Sequence, residues 1–353
     1  MILNKLKFKN TLLDNRIVIS PMCQYSAHNG LPSKWHYKHL LNLCSTGASM
    51  VILESTAVSK NGRISPADLC LYNDKHQKNL TRLFNFLKLN NDTKIGIQIS
   101  HSGRKGSSNI PWIKSNKPLP KNKSWKTFAP SPISRDKKWP TPKMLTINEI
   151  KKIINKFKNT TIRAKKIGFD SIEIHMAHGY LLHQFFSPVS NKRKDVYGGN
   201  LENRSRLLIE IGMMMRKIWP SNRILGARIT GTDHLNGGVE INDAIYLAKK
   251  LKKIGFDYVS VSSGGILPKT KMKQTEAFRS NIAKKIKDES KLFTTSSGMI
   301  TKHETAIKLI KNKKLDFITI ARTIIKNPSW IYQLANKVKE KKIIPNQYKR
   351  IFY

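Results

Sequence analysis

Eight short runs rich in Ile, Val and Thr recur along the chain, each followed by a stretch with apolar residues at three-and-four spacing. The runs are Arg16–Met22, Met50–Thr56, Lys94–Ser100, Asp170–His175, Ile224–Thr230, Asp257–Ser263, Leu292–Gly298 and Asp316–Arg322. Most are too continuously apolar to keep one face in water, which marks strands covered on both sides. The helix-like stretches are roughly Trp35–Ser45, Asp74–Leu89, Thr146–Ile167, Asn200–Lys217, Asn242–Ile254, Thr275–Asp288, Lys302–Asn312 and Ser329–Lys339. Strand then helix, eight times over, predicts an α/β fold, the (β/α)8 TIM barrel. A doubly wound sheet would need a Gly-rich phosphate turn after its first strand. Here that strand runs into Ser20-Pro21-Met22-Cys23, which excludes it.

The 353 residues, 39% of them apolar, suffice for one large core, and no boundary or internal repeat divides them. A single domain over 1–353 is expected, with a long loop at 103–142 and a C-terminal tail at 344–353. The loop follows the third strand, which puts it on the face where barrel active sites sit, and loops of this length are usually functional. Its Trp112 and Trp125 either cap the site or pack against the rim. No run of about 18 apolar residues exists, so no membrane span is expected. Met1–Asn10 carries Lys5, Lys7 and Lys9 and lacks the apolar stretch of a signal peptide. Cys23, Cys44 and Cys70 are odd in number and lack metal-type spacing, so a reducing cytoplasm is expected.

The net charge of +43 raises a nucleic-acid or anionic-surface binder. A dedicated binder would cluster that charge on one face or tail. Here the lysines are scattered over nearly every expected helix, alongside abundant Asn and Ile, and all three residues have A+T-rich codons. Compositional drift explains this better. No specific nucleic-acid partner is expected, only weak incidental polyanion binding.

Residues just past each strand end converge on one barrel mouth. In order they are Cys23 and Tyr25; Glu54 and Ser55; Gln98 and His101; His175, His178 and Tyr180; Arg228; Ser263 and Gly264; Ser297 and Gly298; Ala321 and Arg322. Such a mouth suits an anionic, oxygen-rich ligand. The seventh and eighth strands end in Ser297-Gly298 and Ala321-Arg322, where barrels often hold phosphate through backbone N–H groups and a bidentate Arg. The His175-Met176-Ala177-His178-Gly179-Tyr180 turn carries the most chemistry. Imidazoles can hydrogen-bond an oxygen gathering negative charge, and a phenol can deliver a proton. The same pair with His101 could instead hold zinc in a hydrolase. No acidic residue stands beside the pair in the usual zinc arrangement, so no metal is expected.

The motifs Ser20 to Ser26, Gln98 to Arg104, Ile174 to Leu181, Asp195 to Arg204, Ser262 to Gly265 and Gly298 to Thr301 together resemble the Old Yellow Enzyme family, in its bacterial NADPH dehydrogenase and xenobiotic reductase branch. They span nearly the whole chain in the family's order. The resemblance implies FMN across the mouth and NADPH as its reductant. Ser20, Pro21, Met22 and Cys23 would line the flavin, with Ser55 beside it and Ser263 and Gly264 also on the cofactor. Gln98 and Arg228 would bond its pyrimidine edge, and Gly298, Ala321 and Arg322 would serve the phosphate end. Cys23 would tune the flavin potential. His175 and His178 would bind a substrate carbonyl, Tyr180 would be the proton donor and Tyr25 would contact the substrate.

The activity implied is reduction of the C=C bond of α,β-unsaturated carbonyls. The alternatives are the metal-dependent hydrolase and an RNA-associated flavoprotein like dihydrouridine synthase. Ser55 departs from the Ala of many relatives, Ala321 from a Gly seen in part of the family, and the Pro268–Phe278 loop from their usual Gly, Pro and Tyr. Asn203 and Arg204 read as structural. The C-terminal Gln347-Tyr348-Lys349-Arg350 matches a family tail, implying a homodimer or homotetramer in which Arg350 reaches the neighbouring subunit's site.

Overall fold

The computed structural model describes residues 2–8, 11–115, 117–268 and 272–352. Eight parallel strands form one sheet in sequential order: β1 (Ile17–Ile19), β2 (Met50–Ala57), β3 (Lys94–Ser100), β4 (Ser171–Met176), β5 (Ile224–Thr230), β6 (Tyr258–Ser262), β7 (Phe293–Ser296) and β8 (Ile318–Ile320). β8 returns to pair with β1, and the Asp316 N–H donates to the Thr294 carbonyl at 2.9 Å, joining β8 to β7. Each strand has its helix outside: α1 (Lys34–Cys44), α2 (Asp74–Asn90), α3 (Ile147–Ile167), α4 (Leu201–Ile218), α5 (Ile241–Ile254), α6 (Ser280–Ser290), α7 (His303–Lys311) and α8 (Trp330–Lys337). The expected barrel is therefore present, every strand and helix in its expected place. The largest shift is at α6, which starts at Ser280.

The elements follow from local chemistry. α3 opens on a capping box: the Thr146 hydroxyl accepts the Glu149 N–H at 3.2 Å, and the Glu149 carboxylate accepts the Thr146 N–H at 2.9 Å. Asp170, Asp257 and Asp316 each stand just before a strand, and each carboxylate accepts an N–H at the start of the preceding barrel strand, from Ile95, Leu225 and Thr294. These bonds satisfy donors at the strand starts and help fix the register.

Outward residues such as Ile97, Ile99, Ile172, Ile174 and Ile229 pack under the helices. Inward residues form layers. The lowest is apolar, with Val18, Met50, Ile52, Ile224 and Phe317. A hairpin of Leu6–Phe8 and Thr11–Leu13, unforeseen in the sequence, closes that end. Its Phe8 meets the rings of Tyr258, Phe293 and Phe317 edge-on at 6.2, 4.9 and 5.7 Å. Above lie Gln98, Glu173 and Tyr258, and above them His175 and Arg228 open to the mouth.

Among the described residues no helix is long and apolar enough to cross a membrane. The tail packs at the N-terminal end of the barrel. Tyr348 lies 6.0 Å from the ring of Tyr332, in a cleft bordered by Asn15, Ser49 and Thr93, which precede β1, β2 and β3.

Candidate active site

The turn after β4 places the acid–base groups. His178 has φ +57° and Gly179 φ +71°, so the chain bends sharply as it leaves the strand. The Gly179 N–H donates to His183 Nδ1 at 2.7 Å, and His183 Nε2 lies 2.9 Å from the buried Asp233 carboxylate. Lys105 Nζ donates to the His178 carbonyl at 2.7 Å. These three groups hold the turn in shape.

Within it, His175 Nδ1 accepts the Ala177 N–H at 3.1 Å, which leaves the His175 proton on Nε2. That nitrogen faces His178 Nδ1 at 3.1 Å, and His178 Nε2 lies 2.5 Å from the Ser262 hydroxyl. The Tyr180 ring stands perpendicular to His175 at 4.8 Å. Burial, then the charges of Arg228 and other neighbours, hold both imidazoles well below the usual histidine range, so both are neutral. Burial pushes the Tyr180 phenol well up, keeping its proton in place. The arrangement offers a pair of neutral, hydrogen-bonded imidazoles beside a protonated phenol.

The loop after β1 joins from the opposite side. Cys23 and Tyr25 lie near enough to raise the Tyr180 phenol further, and Tyr25 has φ +47°. Burial, then Glu54 and Asp68, pushes the Cys23 thiol well up, so it is a thiol and free of any disulfide. Trp112 from the long loop meets Tyr25 edge-on at 6.0 Å, at the mouth, whereas Trp125 packs against Arg63. Of the two readings of these tryptophans, capping describes Trp112 and packing describes Trp125. The loop is tied down by buried Arg104, which donates to the Ile266 carbonyl at 2.8 Å and the Ile133 carbonyl at 3.2 Å.

A bulge in β2 matters here. The register shifts between Leu53 and Ser55, so Ser55 pairs with Gln98 and faces inward, while Glu54 turns out to His36 Nε2 at 3.1 Å. Glu54 thus does not open into the mouth: its other oxygen accepts the Gln24 N–H at 3.0 Å, bracing the loop after β1. Nor does His101: its Nδ1 accepts the Gly103 N–H and its ring packs on Gly62. It cannot join His175 and His178 as a third ligand, and no group of three potential metal ligands exists among the described residues.

The end expected to take a phosphate is a cavity of about 400 Å³ lined by Arg228, Arg279, Ser297, Gly298, Ala321 and Arg322 among others, with no carboxylate in its lining. Arg279 was missed in the sequence because it lies before α6 inside a segment expected to be plain helix. It donates to the Ser263 hydroxyl at 2.7 Å and the Ser297 carbonyl at 2.6 Å. Burial, then the charges of Arg228 and Arg322, pulls its pKa to about 10. Arg228 donates to the Ser297 hydroxyl at 2.6 Å, yet its buried Nε finds no partner among the described residues. Three guanidiniums around a carboxylate-free cavity, one with an N–H unspent, fit a phosphate-bearing group with an acceptor-rich ring.

Ser20 is buried at the end of β1 and Pro21 and Met22 are half-buried beyond it; Gly264 has φ +67° beside Ser263. Of the altered loop, Lys269, Thr270 and Lys271 lie outside the described residues; Met272 sulfur accepts from the Ser263 hydroxyl at 3.2 Å. Arg204 donates to the carbonyls of Phe186 and Gly199, a structural part. Arg350 is exposed and remote from this chain's own mouth.

Comparison with known proteins agrees with this geometry. The NADH:flavin oxidoreductase / NADH oxidase family matches over residues 2–341. The NADPH dehydrogenase of Listeria innocua is 38% identical over 346 residues, 98% of this chain and 97% of its own. That of Halalkalibacterium halodurans is 38% identical over 344 residues, 97% of this chain and 96% of its own. Among solved structures, morphinone reductase in complex with tetrahydroNAD superposes with a TM-score of 0.79 at 20% identity, over 96% of this chain and 91% of that one. A 2-naphthoyl-CoA reductase superposes at 0.85 and 22% identity, over 95% of this chain and 52% of the other. These two likenesses speak for the fold.

Proposed function

The chain belongs to the NADH:flavin oxidoreductase / NADH oxidase family, and on that premise we propose that it reduces the C=C bond of α,β-unsaturated carbonyls or similarly activated alkenes at the expense of NADPH. Its coarse identity is that of an FMN-dependent NADPH dehydrogenase of the Old Yellow Enzyme group. The observation that carries the finer reading is the trio at the turn after β4. His175 Nε2 and His178 Nδ1 face each other at 3.1 Å, with the Tyr180 phenol at their side.

FMN, when bound, would supply the hydride transfer between NADPH and the alkene β-carbon. Arg279, Arg322, Gly298 and Ala321 would hold its phosphate. Gln98 and Arg228 would hold its pyrimidine edge, and Ser20 to Cys23, Ser55, Ser263 and Gly264 would line it.

The remaining steps belong to the protein. His175 and His178 donate to the substrate carbonyl oxygen, and those bonds strengthen as the oxygen takes on enolate charge. Because both imidazoles are neutral, they stabilise that charge without surrendering a proton. Tyr180 delivers its proton to the α-carbon. Tyr25 and Trp112 form the wall opposite. We further propose that Arg350 of a second copy completes this wall, since the tail lies at the far end of its own barrel. Removing 347–353 should then raise the KM for enone with FMN retained, and full activity of a sedimenting wild-type monomer would contradict it.

The purified protein should be yellow and release FMN on denaturation. Anaerobic NADPH oxidation should stall after one turnover and resume on adding 2-cyclohexenone, with cyclohexanone as product. Reoxidation by oxygen but by no activated alkene tried would overturn the proposed substrate class while leaving the dehydrogenase.

A further inference from the structure

One row of residues crosses the barrel interior beneath the mouth. Gln98 on β3 is in register with Glu173 on β4, Glu173 with Gly226 on β5, and Gly226 with Tyr258 on β6. Their side chains form a closed unit. Gln98 Nε2 donates to Glu173 Oε1 at 2.6 Å, and the Tyr258 hydroxyl donates to Glu173 Oε2 at 2.8 Å. Tyr258 reaches across β5 because position 226 has no side chain. A Cβ there would lie 2.1 Å from its ring.

Glu173 is buried at 1% exposure, where a carboxylate is expensive unless charge and donors compensate it. Both its oxygens receive a donor, and Arg228, one layer nearer the mouth, supplies the opposite charge. Burial raises its pKa, against the pull of Arg228 and the two hydrogen bonds. Two donors converging on the two oxygens suit the ionised form. None of the chemistry assigned above uses this carboxylate.

We propose that Glu173 is a positioning residue for the cofactor: it binds one N–H of Gln98, so that the amide oxygen faces the mouth, and it sets how much of the Arg228 charge a bound flavin feels. The inference rests on FMN occupying this mouth. The pyrimidine edge of an isoalloxazine carries one N–H between two carbonyl oxygens. A free amide could meet that edge with either end. With one N–H of its NH2 committed to Glu173, Gln98 turns its oxygen toward the mouth and so accepts the ring N–H, while its second N–H and the unspent Nε of Arg228 are left for ring acceptors. Reduction adds negative charge to the ring, which Arg228 favours and Glu173 opposes. Removing the Glu173 charge therefore makes reduction easier.

Two variants of the FMN-loaded protein separate the two roles. Glu173→Gln keeps the shape and removes the charge. The midpoint potential of bound flavin should move positive. The preference for FMN over N3-methyl-FMN should also fall, because a glutamine at 173 no longer dictates which way Gln98 points. That preference should be about tenfold in the wild type, the value of one net hydrogen bond. Glu173→Asp keeps the charge but falls short of Gln98. It should lower the same preference while leaving the potential near the wild-type value. Either variant suffices if the other does not fold.

A folded, yellow Glu173→Gln with wild-type potential and wild-type discrimination would overturn the proposal, as would a folded Glu173→Asp with undiminished discrimination. A wild-type protein that binds no FMN would instead overturn the cofactor placement, a result distinct from retained flavin with unchanged properties.

Discussion

At the scale of single residues, the site works through where protons sit. His175 is fixed as the Nε2–H tautomer by the Ala177 N–H and donates to His178 Nδ1 at 3.1 Å, while His178 Nε2 meets Ser262 on its far side. That serine is fully buried, and its hydroxyl has no other hydrogen-bond partner among the described residues. When a ligand oxygen enters and Ser262 turns to donate to His178 Nε2, the His178 proton moves to Nδ1, and both imidazoles present an N–H to that oxygen in place of their mutual bond. A carbonyl or phenolate oxygen is such an acceptor. Ser262→Ala should therefore weaken binding of a phenol such as p-hydroxybenzaldehyde by about tenfold, the loss of roughly one hydrogen bond. Flavin absorbance titration measures it, and unchanged affinity would remove Ser262 from the role. Tyr180→Phe tests the other half. It should leave NADPH-driven flavin reduction near wild type and slow anaerobic reoxidation by 2-cyclohexenone by roughly 10²–10⁴, the usual worth of a general acid. Stopped-flow traces that match wild type in both half-reactions would take the proton from some other group.

At the scale of elements, the turn after β4 is the piece most sensitive to backbone change. A Cβ at Gly179 would meet the Gly265 carbonyl oxygen at 2.1 Å, and its φ of +71° is one that L side chains rarely adopt. Gly179→Ala must push the loop after β6 away from the loop after β4, moving His178 and Tyr180 together. The expected cost is about 1–3 kcal/mol of stability by urea unfolding. Phenol binding should fall by more than in Ser262→Ala, because both His178 and its Ser262 support shift. A Gly179→Ala protein with wild-type ligand affinity would show the turn to be less rigid than its contacts require. This turn and the strands beneath it were legible in the sequence because each carries a strong local signal, either a continuous apolar run or a dense string of chemical side chains. Other features carry no such signal. The hairpin at 6–13 has strands of three residues with Lys7 and Thr11 among them, too short for periodicity. The bulge at Leu53/Ser55, which decides that Ser55 faces in and Glu54 out, exists only in the pairing of two strands. Glu173, Tyr258 and Arg279 are polar residues whose partners lie on other elements, so nothing beside them in the chain marks them. What depends on one strand's own pattern can be read from the sequence, and what depends on register between strands cannot.

At the scale of the whole molecule, burial of histidines sets the response to acid. His101 is held near pKa 3, by burial first and then by Lys156, while His175 and His178 are held well below the usual range. An unfolded histidine titrates near 6.5. Between that value and its lower folded one, the unfolded chain binds the extra proton. Stability therefore rises with pH in that window and is lost as pH falls below about 6.5, by up to about 1.4 kcal/mol per pH unit for each such group. Two buried acids work the other way: burial raises Glu173 as well as Asp68. Burial raises Asp68 to about 7, so between about 4 and 7 the folded state holds its proton and the unfolded state does not. Its contribution falls as pH rises through that range. The three histidines, with His39 also held down near 4 by burial and then His36, outnumber these two acids and leave the acid side the weaker. The surface charge adds to this, since a chain at +43 gains still more positive charge in acid and repels itself further. The urea midpoint of the FMN-loaded protein should thus fall steadily from pH 7 to pH 4.5, and added salt should recover only the part due to surface repulsion, because buried groups are poorly screened. A midpoint that stays level or rises over that range would mean the three histidines are protonated in the folded protein, and with that the neutral oxygen-binding pair at the mouth would be lost.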